Sequence, residues 1–121
     1  MPSTVMVPIV TKYSGIAETS TTFDAVNGMA LPANDNKYFV HFSNTDAAAD
    51  ATVTVVAQAK YGGLALTNPT FVVTHDATLA HQEFAGPFDP AVFNDGGSNV
   101  QFTASFAGTA AKFYFCAVHL G

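Results

Sequence analysis

The stretch that most constrains the fold is Gly86-Pro87-Phe88-Asp89-Pro90-Ala91-Val92-Phe93-Asn94-Asp95-Gly96-Gly97, which gathers the turn formers Gly, Pro, Asn and Asp around two aromatic rings. Pro87 and Pro90 each remove a backbone donor and fix φ, while Gly86, Gly96 and Gly97 open positive φ and Asn94 and Asp95 bond nearby backbone. No regular element is expected to run through it, so it reads as a corner. Phe88 and Phe93 are too apolar to leave in water, since burying each contributes roughly 1.5–3 kcal/mol. The corner is therefore predicted to be pinned to the core by its own side chains.

The segments around it carry a period of two. Tyr38, Val40 and Phe42 share one face of residues 37–44. Residues 52–58 alternate, with Val53, Val55 and Ala57 inward and Thr52, Thr54 and Gln58 outward, apolar Val56 being the exception. Residues 70–75 and 79–84 flank Asp76-Ala77-Thr78 and predict a hairpin leading into the corner; residues 44–50 predict a hairpin loop. Residues 99–106 and 112–120 are joined by Ala107-Gly108-Thr109, and the last strand, apolar on both faces, is predicted to be central. Residues 19–26 are weakly patterned and read as loop. Val5-Met6-Val7-Pro8-Ile9-Val10 is β-branched, but Pro8 cannot donate to a ladder, so residues 1–12 form an edge strand or a partly free N-terminal arm. With no sustained 3.6-residue period, residues 1–121 predict one all-β domain: a single antiparallel β-sandwich or jelly-roll-like barrel of about seven to eight short strands.

Composition narrows the partners. The chain is 49% hydrophobic but only 11% charged, with eleven Phe, and such a surface has little charge to defend its apolar patches. Self-association or docking on a larger assembly is expected. Four Lys, no Arg and a net charge of −5 disfavour a phosphate backbone, so no nucleic-acid partner is expected. A start without a basic n-region or apolar h-region predicts no signal peptide, and no apolar run reaches the ~18 residues of a membrane span.

The residues that could carry chemistry each have a plainer reading. His75 and His81 flank the expected hairpin beside Asp76, but the spacing matches no strong zinc signature and two ligands do not make a site. His41 and His119 lie in strands and read as satisfied surface or core histidines. Cys116, among Phe115, Ala117 and Val118, reads as a buried structural thiol, and as a single cysteine it excludes an intrachain disulfide. Asn34-Asp35-Asn36, Asp46 with Asp50, and Asn94-Asp95-Gly96 lack the spacing and terminal Glu of a calcium loop and read as turns. No catalytic residue, cofactor or metal is expected. Tyr13 and Tyr61 are the aromatics that a carbohydrate site would use.

Three segments together resemble the small head-decoration, or capsid-cement, virion proteins of tailed bacteriophages. They are Asn34-Asp35-Asn36-Lys37-Tyr38-Phe39-Val40-His41-Phe42-Ser43-Asn44, then Thr52-Val53-Thr54-Val55 followed by Gly62-Gly63-Leu64-Ala65, and Gly86-Pro87-Phe88-Asp89-Pro90 with Phe93-Asn94-Asp95. The chain departs from that pattern at Ser98-Asn99 and at Ala47-Ala48-Ala49. The resemblance implies a non-enzymatic structural protein, made in the host cytoplasm, that docks on the major capsid protein at the exterior of the assembled head, commonly as a homo-oligomer. The apolar stripe Val5, Val7 and Ile9 with Pro8 is the expected partner-binding segment, because an arm of this kind can add to a neighbour's sheet edge. The rival expectation is a carbohydrate- or receptor-binding β-sandwich module of a fibre or spike.

Overall fold

The structure, a computed structural model, describes residues 3–12, 18, 20–46, 48–58, 60–61, 64–65, 67–75, 81–106 and 112–120. The elements are β1 (Thr4–Val5), β2 (Ile9–Val10), β3 (Thr21–Thr22), β4 (Met29–Leu31), β5 (Tyr38–Asn44), β6 (Ala51–Val55), β7 (Lys60–Tyr61), β8 (Leu64–Ala65), β9 (Thr70–Val73), β10 (His81–Ala85), α1 (Pro90–Phe93), β11 (Val100–Phe106) and β12 (Phe113–His119). Seven of these strands have three or more residues; the other five are two-residue pairings. The turns expected at 76–78 and 107–109, and the glycines between β7 and β8, lie outside the described residues.

Two five-stranded sheets form the body. The first runs β1-β4-β11-β6-β9; the second runs β10-β5-β12-β2, with β3 also pairing β12. β5 covers one edge of β12 along its whole length, while β3 and β2 share the other edge near its two ends. The apolar last strand is therefore interior to its sheet, as its double-faced pattern predicts. Rings from the two sheets meet in one core: Phe42 of β5 lies 6.1 Å from Phe102 of β11, and Phe106 of β11 lies 5.7 Å from Phe113 of β12. Phe23, before β4, packs 5.3 Å from Phe113. The arrangement is a nearly all-β, sandwich-like body.

Three expectations are corrected. The sheets are mixed rather than antiparallel, because β1 pairs parallel with β4 and β2 pairs parallel with β12. Between β1 and β4 the chain visits the second sheet through β2 and β3 and then returns, and a crossover of that length permits the parallel pairing that a tight hairpin forbids. The expected hairpins at 44–50 and 70–84 also connect strands of different sheets. β5 lies in the second sheet and β6 in the first, β9 in the first and β10 in the second. Crossing over lets each strand turn its apolar face to the same core. Finally, the corner is not wholly irregular. Asp89 caps α1 by accepting from the Ala91 N–H at 2.9 Å, and Pro90 takes the first helical position, where a missing donor costs nothing.

The corner is pinned as its sequence predicts. Phe88 is buried, edge-on to Phe102 at 5.3 Å and to half-buried Phe93 at 6.1 Å. Buried Asn34 donates its amide to the Phe88 carbonyl at 2.9 Å and to Asn94 Oδ1 at 2.6 Å, and Asn94 donates back to the Asn34 carbonyl at 3.2 Å. Two turns sixty positions apart thus satisfy each other.

Candidate docking segment and cleft

The N-terminal segment is zipped to both sheets in succession. Thr4 N donates to the Gly28 carbonyl at 3.0 Å and Met6 N to the Ala30 carbonyl at 2.8 Å; beyond Pro8, Thr11 N donates to the His119 carbonyl at 3.0 Å. Pro8 falls at the change of sheet, where no ladder needs its missing N–H. Side chains add two ties: Thr4 Oγ1 donates to Asp24 Oδ2 at 2.6 Å and Ser3 Oγ to Gln101 Oε1 at 2.7 Å. Asp24 also accepts from the Val26 and Asn27 amides and from Asn27 Nδ2. The Thr4 hydroxyl first, and then the Asn27 bonds, hold its carboxyl at about 2.

The four residues expected to meet a partner are divided by this path. Val5 is 59% exposed and Val7 85%, whereas Pro8 and Ile9 are half-buried. Val10, 47% exposed, extends the outward apolar run. Met6, between Val5 and Val7, points inward and is fully buried in the core. Its signal was present as the residue out of phase with Val5 and Val7.

Ile9 leads into a cleft of about 250 Å³ on the outer face of the second sheet. Ile9, Phe39, Phe84 and Val118 supply its apolar walls, and Thr11, Glu18 and His41 its polar groups. The two-residue period of β5 explains the position of His41: Val40 and Phe42 turn fully into the core, so Phe39 and His41 turn out. Phe84, 67% exposed, stacks on the His41 ring at 4.6 Å and an interplanar angle of 21°, with Phe39 at 5.9 Å. His41 Nδ1 contacts a Glu18 carboxylate oxygen, and Nε2 lies 3.0 Å from Gln82 Oε1. Two oxygen acceptors suit an imidazolium; turning the Gln82 amide over presents its NH₂ and suits the neutral ring protonated on Nδ1. His41 is buried and paired on both nitrogens, in keeping with the satisfied histidine read from its strand. Glu18 and Gln82 carried no sequence signal, because each meets His41 from more than twenty positions away along the chain.

The remaining candidates lie elsewhere. His75 pairs with Asp50, Nδ1 to Oδ1 at 2.6 Å, and the His81 side chain lies outside the described residues. Since β9 and β10 belong to different sheets, no shared hairpin holds the two histidines as a clip. Among the described residues no three His, Cys, Asp or Glu side chains converge on a metal position. His119 Nε2 bonds Asp35 at 2.9 Å and its ring packs 4.5 Å from Tyr38; the bond lowers the Asp35 carboxyl. Cys116 is buried, opposite His41 in register. Asp46 Oδ1 accepts from the Ala48 and Ala49 amides, and Asp95 Oδ1 from the Gly97 and Asn99 amides, which is turn geometry. Tyr13 and the Tyr61 side chain fall outside the described residues. No protein-family model matches the chain, and comparison with curated proteins and with solved structures finds no match to it.

Proposed function

We propose that the protein is a non-enzymatic virion structural protein, a head-decoration protein of a tailed bacteriophage that docks on the major capsid protein from the capsid exterior as a homo-oligomer. The observation that carries this reading is the outward apolar run Val5, Val7 and Val10 on a segment whose backbone is already paired, so the side chains are held out toward a neighbour. Exposed apolar side chains grouped beside an open apolar cleft favour an interaction surface over a solvated one. The sequence resemblance supplies the virion setting. The repeated crossing of successive strands between the sheets supports the finer jelly-roll-like reading of the fold.

Co-sedimentation with assembled heads of a tailed bacteriophage tests the proposal. The intact protein is expected to pellet with heads, and Val7→Asp to stay in the supernatant with an unchanged melting temperature. An intact protein that stays in the supernatant overturns the decoration reading, and saturable binding to a glycan array would then replace it with the carbohydrate-binding one.

A further inference from the structure

We infer that the cleft between β2 and β10 receives a basic side chain, lysine or arginine, from the partner's surface. The inference rests on the docking reading and specifies which partner group enters this pocket. Four apolar residues form walls that suit a methylene stem, and two of them, Phe39 and Phe84, are aromatic rings whose faces attract a cation. Glu18 supplies the matching charge. Its side chain is 46% exposed, and among the described residues its partner is the His41 Nδ1 nitrogen, which engages only one of the two carboxylate oxygens. The second oxygen is left to accept from an incoming ammonium or guanidinium.

Other occupants fit less well. An anion meets the Glu18 carboxylate, and among the described residues no lysine lines the cleft, in a chain of net charge −5. A purely apolar group would strip water from that carboxylate without replacing it, which costs free energy that a cation recovers. An arginine stem lies along Ile9 and Val118 while its guanidinium reaches Glu18 beside the Phe84 ring.

The test is an NMR titration of the full chain at pH 8. The probes are N-acetyl-arginine amide and N-acetyl-lysine amide, with the neutral N-acetyl-citrulline and N-acetyl-norleucine amides as counterparts. Saturable shifts at His41, Phe84 and Ile9 are expected with the basic probes, with binding at least about fivefold weaker for the neutral ones. Glu18→Gln, which keeps an oxygen for the His41 Nδ1–H, is expected to abolish that preference without lowering the melting temperature. Phe84→Ala, at an exposed ring, is expected to weaken both basic probes. Equal binding of norleucine and arginine amides, an unchanged preference in Glu18→Gln, or no saturable shift with any probe overturns the inference. Head co-sedimentation is scored separately: a protein that pellets with heads but ignores the basic probes keeps the docking reading and loses this one.

Discussion

Phe88 shows how much of the corner depends on one side chain. It is buried against Phe102 and Phe93, so Phe88→Ala removes a ring the surrounding sheets can only partly replace and is expected to cost about 3–5 kcal/mol in urea unfolding. A cost below about 1 kcal/mol would mean that the corner is solvated. Gly28 is constrained differently. Its φ is +77°, and an added Cβ would stand 2.7 Å from the Phe102 carbonyl oxygen, so alanine there strains both the turn and the β4–β11 pairing. Asp24, one turn earlier, makes an acid-sensitive tie. Its folded carboxyl is lowered from 3.8 to about 2 by bonds that the unfolded chain lacks. The stabilisation is therefore complete above the usual aspartate range and is lost as pH falls through about 2. Melting temperature is expected to fall less steeply between pH 4 and pH 2 in Asp24→Asn than in the parent; parallel profiles would show that these bonds carry no linkage.

At the level of elements, the N-terminal segment has two jobs that point substitutions separate. Met6 fills the core while its backbone extends β4, so Met6→Ala is expected to cost about 2–5 kcal/mol. Val7 is outward, and Val7→Asp is expected to stay within about 0.5 kcal/mol of the parent while abolishing head binding. Chemical denaturation of the pair checks both; a large cost at Val7 would make the segment purely structural. Deleting residues 1–10 cannot make this distinction, because it removes Met6 and uncovers the edges of β4 and β12 together. Open edges of that kind invite pairing with other chains.

For the whole molecule, far-ultraviolet circular dichroism is expected to show β structure with little helix, since α1 is a single four-residue turn among the described residues. Cys116 reports on the integrity of the body. It is buried in the central strand of the second sheet, so a thiol reagent is expected to label it slowly in buffer and rapidly in denaturant. Rapid native labelling would indicate that the sheet opens on its own.

The period of two around Val53 and Phe42, the out-of-phase Met6, the turn chemistry of Asn34 and Asn94 and the doubly apolar last strand all act within a few residues. For that reason the longer strands β5, β6, β11 and β12, their inner faces, the corner anchors and the central position of β12 were legible in the sequence, whereas β3, in a stretch read as loop, and β4 were not. A strand's alternation says which face is buried but not which sheet it joins, and local signals alone made hairpins of connections that cross between the sheets. Sheet membership is settled by long-range pairing, which brings β1 beside β4 and β2 beside β12 only after the chain has crossed the core and returned. The cleft belongs wholly to that level. Glu18, His41, Gln82 and Phe84 meet because the register sets Phe84 opposite His41 and Glu18, twenty-three positions earlier, reaches the His41 ring. Their separation along the chain leaves no local pattern to read.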